Sequence, residues 1–340
     1  MQHRIEHLVA GDAGVLPEPA AREVDSHLRW LMAGPVRDDH GMLRAWVDGQ
    51  TPAHAYPEST GYLISLLCYL HRATGEDRFA SDAARAAQAL VDHLGQADGC
   101  GRDGAVYLFD TAVCLRALGT YHTLFEGRLQ RPALELMDRL ALTCDSMFRR
   151  RQACTGGAAN GHGERRWSRS FSAHLIKAAH LVSPWVPAWR EVTDELVGQF
   201  YEDGRFFADE GHGRVYVHAS CYAAEGLMAH GGLFTDQAQR AAAFLARIQR
   251  EDGGMPAWWP EAAGPVTDAT AQAVRIWQCA AASDHEDNIR RGLAFLQRMA
   301  LPDGGFRYSP EVDHANSWTT IFATQAMLWR RCGAGAEWIV

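Results

Sequence analysis

Four residues in this chain have the types and the neighbours to do proton chemistry: Glu58, Asp110, His218 and Asp268. Two carboxyl groups can serve as acid and base on a glycosidic bond, and their separation decides the stereochemical outcome. An imidazole titrates near neutrality and is an alternative base. Close to these four stand His54, Tyr56, Arg165, Arg166, Trp167, Arg169, Tyr216, Trp258, Trp259, His314, Asn316 and Trp318. Flat aromatic faces pack against the C–H faces of pyranose rings, and amides and carboxylates bond sugar hydroxyls. The arginines of 165–169 can grip a carboxylate or phosphate bidentately. Each residue also has a purely structural reading. The acids suit helix N-termini, His218 suits a hydrogen-bonded wall, and Trp258 and Trp259 suit packing between loops. The constellation says more than any member.

What would bring these residues together is a repeat. EDGGMPAW at 251–258 is echoed by PDGGFRY at 302–308. Looser copies stand at Asp39-His40-Gly41, Asp98-Gly99 and Asp203-Gly204, with a degenerate one near 155. Asp-Gly is turn chemistry, because Asp bonds the local backbone and Gly accepts positive φ. A second series runs beside the first: Thr60, Thr111, Ser170, Ser220, Thr270 and Thr319, at spacings of 51, 59, 50, 50 and 49. Each opens an apolar run, where a hydroxyl can accept a bond from the free N–H groups of a first helical turn.

The helices so marked alternate in character. YLISLLCYLHRA (62–73) is apolar nearly all round, whereas ASDAARAAQALVDHL (80–94) carries one stripe of Ala83, Ala87, Leu90, Val91 and Leu94. The pattern predicts buried helices starting near 59, 110, 169, 219, 268 and 316. Half-buried ones are expected over 20–32, 80–94, 132–148, 187–201, 236–249 and 284–299. The first half-buried helix and the last buried one each lack a partner, and each can complete the other if the ring shuts. An open solenoid would need polar end caps. The expectation is an all-α (α/α)6 toroid, a single domain over 1–340 with 1–18 as a poorly defined arm. Its inner helices would turn their N-termini, and the sixteen candidate residues, toward one mouth.

Composition bounds the rest. The chain has 340 residues, 47% of them apolar, and a formal net charge of −8. That balance argues against a nucleic-acid partner, and no apolar run reaches the ~20 residues of a membrane span. The N-terminus has no long apolar region of a secretory signal, and eight scattered cysteines without a C-x-x-C pair read as reduced thiols of a cytoplasmic protein. His218 and Cys221 have i, i+3 spacing but no third ligand, so no metal is expected. No phosphate-binding glycine motif appears, so no cofactor is expected either.

YPESTGYLISLL followed by ATGEDRFASDAARAAQAL resembles the opening repeat of bacterial exopolysaccharide-biosynthesis toroids of the VpsJ type. VTDATAQAVRIW (266–277) and NSWTTIFATQAMLW (316–329) resemble their fifth and sixth inner helices. Unsaturated glucuronyl hydrolases and N-acylglucosamine 2-epimerases are more distant relatives. The resemblance implies a carbohydrate-active enzyme working on a uronic-acid or amino-sugar saccharide. Its partner would be a small-molecule or oligosaccharide substrate. QREDGGM (249–255) and LQRMALPDGGF (296–306) are similar to the QW-type repeats of prenyltransferases and squalene cyclases. The acid motif and zinc ligands of those enzymes are not found here. An isoprenoid enzyme is therefore the alternative, and a non-catalytic binding toroid the second alternative.

Overall fold

In a computed structural model of the chain the described residues are 18–47, 54–102, 104–125, 129–156, 165–167, 172–208, 213–261, 263–280, 282–333, 335 and 338–339, with backbone only for 18–23. The expected arm lies outside them apart from its last residue. Among the described residues twelve α-helices follow one another: α1 (Glu18–Met32), α2 (Pro57–Thr74), α3 (Asp77–Leu94), α4 (Leu108–Leu124), α5 (Arg131–Arg149), α6 (Leu175–Leu181), α7 (Trp189–Phe200), α8 (Val217–Ala229), α9 (Thr235–Ile248), α10 (Thr267–Cys279), α11 (Glu286–Met299) and α12 (Ser317–Cys332). The even-numbered helices pack side by side in order, and α12 returns to α2. The odd-numbered helices lie outside them, and α1 packs on α12. The fold is an (α/α)6 toroid, and its head and tail share a hairpin as the unpartnered stripes required.

Burial explains the two classes. α4 buries Leu108, Phe109, Thr111, Ala112, Val113 and Cys114, which point all round its axis, while α3 buries one stripe of Ala83, Ala87, Leu90 and Leu94. α1 turns Val24, Leu28 and Leu31 inward in the same way. The described strands are short and lie chiefly in the loops before the inner helices. They lace repeats together. Trp46–Val47 pairs with Ala315–Asn316 across the seam, Ala105–Tyr107 with Gln152–Gly156, and Val215–Tyr216 with Trp258–Trp259.

The hydroxyl series has a different job from the one its spacing suggests. Thr60, Thr111 and Thr270 sit in the first turn, not at the cap. Each donates to the carbonyl four residues back, at 3.1, 2.7 and 2.6 Å. Each also accepts a backbone N–H from the preceding turn loop: Leu43 at 3.0 Å, Cys100 at 3.0 Å and Met255 at 2.8 Å. The threonine is thus a clamp from loop to helix. In the last repeat the clamp is Thr320, which takes Phe306 N–H at 3.0 Å, and not Thr319. The cap there is Asn316, whose Oδ1 accepts Thr319 N–H at 2.9 Å.

The Asp-Gly turns behave as expected at Asp252 and Asp303, whose Oδ1 atoms accept Gly254 and Gly305 N–H at 2.9 and 3.1 Å. In the first copy the bonding acid is Asp38, not Asp39. Gly253 and Gly304 have φ of +87° and +105°, and a Cβ there would stand 2.2 Å from Arg291 O and 2.3 Å from Ser26 O. The turn after α9 therefore butts against α11, and the turn after α11 butts against α1. The seam repeats the contact made elsewhere in the ring, and His27 Nδ1 seals it 2.6 Å from Gly304 O.

The third inner helix departs from expectation. α6 begins at Leu175, not near 169, and runs only seven residues. Ser170 and the degenerate turn after Gly156 fall outside the described residues. The eight cysteines are free thiols, six of them buried.

Candidate functional site

The first turns of the inner helices supply the site. Glu58, His218, Asp268 and Trp318 are each the second residue of their helix, Asp110 is the third, and His174 immediately precedes α6. Similar offsets around a ring put these six residues at the same end of their helices, where the dipoles turn positive.

Two adjoining cavities open there. The larger holds about 460 Å³, within the range of small-molecule sites. Its polar lining includes Glu58, Asp110, His174 and His218, with Tyr107, Tyr216, Tyr222 and Trp258 among its aromatic walls. The smaller, about 250 Å³, is bounded by Trp46, His54, Tyr56, Arg102 and Trp318. Tyr107 and Asp110 line both.

Glu58 is nearly buried and held from below. Its Oε1 accepts Tyr62 OH at 2.7 Å, with Tyr222 OH at 3.4 Å, and the two hydroxyls lie 2.9 Å apart. Asp110 borders the cavity. Burial first, then the charge of Glu58, pushes its carboxyl well above the usual carboxylate range. Burial and the same two acids also raise the Tyr56 phenol.

Asp268 stands behind the wall. Its Oδ1 accepts the Ala269 N–H at 2.7 Å, and its Oδ2 accepts Trp318 Nε1–H at 3.4 Å. The same Oδ2 lies 3.3 Å from His218 Nδ1, too poorly aligned for a hydrogen bond. Asp268 thus holds Trp318 of the smaller cavity and lies close to His218 of the larger without lining either. His174, opposite, is pushed down to about 4 by burial and then by His218, so it is neutral near pH 7.

Beneath the tyrosines lies a buried plug of charge. Glu225 receives Lys177 Nζ at 2.8 Å and Arg275 Nη2 at 2.5 Å, and Arg275 also reaches Gln325 Oε1 at 2.7 Å. The Lys177 ammonium sits 4.9 Å from the Tyr222 ring centre and 5.6 Å from that of Tyr62. Burial lowers Lys177 to about 8 against the pull of Glu225. The floor beneath the larger cavity is therefore polar, buried and cross-braced through α6, α8, α10 and α12.

Of the residues singled out in the sequence, Glu58, Asp110, His218, Arg165, Tyr216 and Trp258 line the larger cavity, and His54, Tyr56 and Trp318 the smaller. Others lie elsewhere. Asn316 is fully buried, capping α12 and donating to Ala45 O at 3.2 Å, so it is a structural residue. Arg166 points to solvent because strand alternation turns it opposite to Arg165. Trp167 packs on Phe148 and under Arg151. Trp259 packs on Phe244, and His314 lines neither cavity. Arg169 lies outside the described residues. Sequence reasoning missed His174, Tyr62, Tyr222 and Trp46. His174 was hidden by the misplaced start of α6, and the offset shared by most of the other helices falls on Ile176 instead. Among the described residues no cluster of three His, Cys, Asp or Glu could hold a metal ion, and no helix is long and apolar enough to cross a membrane.

No family model matches the sequence, and no curated protein matches it. Solved structures do match in fold. The cellobiose 2-epimerase from Bacillus thermoamylovorans B4167 superposes with a TM-score of 0.68 at 12% identity, over 92% of this chain and 100% of that one. The unsaturated glucuronyl hydrolase from Bacillus sp. GL1 gives 0.64 at 14%, over 93% and 98%. The α-1,6-mannanase from Salegentibacter sp. HEL1_6 gives 0.60 at 10%, over 91% and 98%. The chain thus shares the (α/α)6 toroid of these structures, along nearly its whole length and theirs.

Proposed function

We propose that this toroid is a carbohydrate-active enzyme that cleaves a glycosidic bond by acid–base chemistry in the mouth of the ring. The observation that carries this reading is the convergence of Glu58 and Asp110, from neighbouring inner helices, on one cavity walled by tyrosines and a tryptophan. Burial and then the charge of Glu58 push the Asp110 carboxyl well above the usual carboxylate range, and Glu58 lines the same cavity. That is the pairing hydrolysis of a glycoside needs. His218 is the second candidate base, with Asp268 Oδ2 3.3 Å from its Nδ1. The structural neighbours named above act on saccharides, which supports the substrate class. Arg165 in the wall suits a uronic acid or another anionic sugar. A place in exopolysaccharide metabolism follows the sequence resemblance.

The test is turnover of a panel of oligosaccharides and aryl glycosides, read as new reducing ends. Glu58→Gln and Asp110→Asn should each lose on the order of 10²–10⁴-fold in rate while keeping the fold. Full turnover by either variant removes that residue. Exchange of solvent deuterium into the sugar without new reducing ends would point to epimerisation instead.

The apolar stretch of Phe109, Phe206, Phe207, Ala153, Ala173, Ala208 and Ala219 in the same cavity favours a second reading, an isoprenoid substrate. A thermal shift with polyprenyl diphosphate and none with any saccharide would establish it.

A further inference from the structure

The mouth is divided, and Asp110 stands at the division. Among the carboxylates of the site, Glu58 lines the larger cavity alone, whereas Asp110 lines both. The smaller lobe is faced by four aromatic residues, Trp46, Tyr56, Tyr107 and Trp318. Trp318 packs edge-on against Trp46 at 5.4 Å and against Tyr56 at 5.7 Å. Such a cluster is a rigid stacking surface for one flat ring. His54 and Arg102 add hydrogen-bonding groups to it. The lobe spans the seam of the toroid, since Trp46 and Trp318 come from opposite ends of the sequence and are tied by the pairing of Trp46 with Asn316.

We infer that the smaller lobe is a second sugar subsite, that the substrate has at least two rings, one in each lobe, and that Asp110 is the proton donor to the oxygen joining them. This inference rests on the saccharide reading above and adds chain length and the role of Asp110 to it. A general acid must reach the bridging atom, and the bridging atom of a ligand filling both lobes lies where the lobes meet. In the step, the carbon–oxygen bond breaks with its electron pair on the oxygen, which takes the Asp110 proton. Water supplies hydroxide to the carbon, and its remaining proton restores the carboxyl pair, so one water is added across the bond. The titratable and charged groups around Asp110 are Glu58, Tyr56, Arg102, Tyr107, Cys114 and Cys154. Glu58 opposes loss of its proton and Arg102 favours it, burial adding to the side of Glu58.

The experiment has two arms on the full chain. In the first, calorimetry on the slowed Glu58→Gln variant compares N-acetylglucosamine with its β-1,4 dimer, methyl β-glucoside with cellobiose, and glucuronic acid with a glucuronate disaccharide. The pair that binds should show the two-ring member at least tenfold tighter. Trp46→Ala should weaken the two-ring ligand roughly 2–10-fold more than the one-ring ligand, as loss of one stacking partner predicts. Trp46→Phe serves if the alanine variant does not fold. Equal affinity for one and two rings overturns the subsite. In the second arm, infrared spectroscopy of the wild type near neutral pH should show a protonated carboxyl band that vanishes in Asp110→Asn. In Glu58→Gln the same band should titrate at lower pH. A wild-type spectrum without that band overturns the donor role. If no saccharide binds at all, the parent reading falls, and the infrared band still judges Asp110.

Discussion

Repeats five and six differ from repeat three in how their inner helices are held. α10 and α12 are each fastened by a threonine clamp to an Asp-Gly turn. α6 is seven residues long, and a charge anchors it: Lys177 reaches across to Glu225 of α8, which Arg275 of α10 also grips. The regular repeats keep the frame. The irregular one lends Ser172, Ala173 and His174 to the cavity wall. Regular repeats supply Glu58, Asp110 and His218 to the cavity, and the irregular one supplies part of the wall around them.

Removing the charge that anchors repeat three should cost most. Glu225→Ala leaves Lys177 and Arg275 buried without their carboxylate. A loss of about 3–5 kcal/mol in denaturant unfolding is expected. The pH dependence sharpens the same point. Lys177 is lowered to about 8 in the fold from 10.5. Between those values the unfolded chain binds more protons, so this group makes stability rise with pH over that window. A Lys177→Met variant should lack that rise. At the seam of the regular half, Gly304→Ala should cost about 2–3 kcal/mol, because positive φ and the Ser26 carbonyl both oppose a Cβ. Gly232→Ala, with open space around it, should lose far less.

Thr270→Val sharpens the comparison at smaller cost. It strands Met255 N–H in the interior, and about 1–3 kcal/mol should disappear. The last effect is in acid. His174 is neutral in the fold down to about 4 but takes a proton near 6.5 when unfolded. Stability from this group is present above 6.5 and falls as pH drops toward 4. His174→Asn should flatten that part of the stability profile, measured by thermal melts across the range.

The ring itself was legible because period and burial stripe are written in one-dimensional spacing. The hydroxyl series was legible as a series and misjudged as a device. A cap and a first-turn clamp differ by four residues in position, and both leave a threonine near the start of an apolar run. Thr60 became a clamp because the loop folds back over the helix, a tertiary fact. Asn316 illustrates the converse: a polar residue near a mouth need not face it, and the backbone it caps had the stronger claim. Tyr62 and Tyr222 were invisible as site residues since a buried helix full of aromatics gives no sign of which hydroxyl meets an acid, four residues away for Tyr62 and 164 for Tyr222. Arg165 and Arg166 were separable only once strand alternation was known.

The closing of α1 on α12 carries a consequence for assembly. His27 and Gly304 lie 277 positions apart in the sequence yet touch in the ring. On the ribosome α1 must wait, greasy stripe uncovered, until nearly everything downstream has been translated. Folding of the last hairpin is then a distant, late and slow event compared with pairing of neighbouring helices. The vulnerable species in the cell would be a horseshoe: five hairpins stacked, with two sticky ends searching for each other.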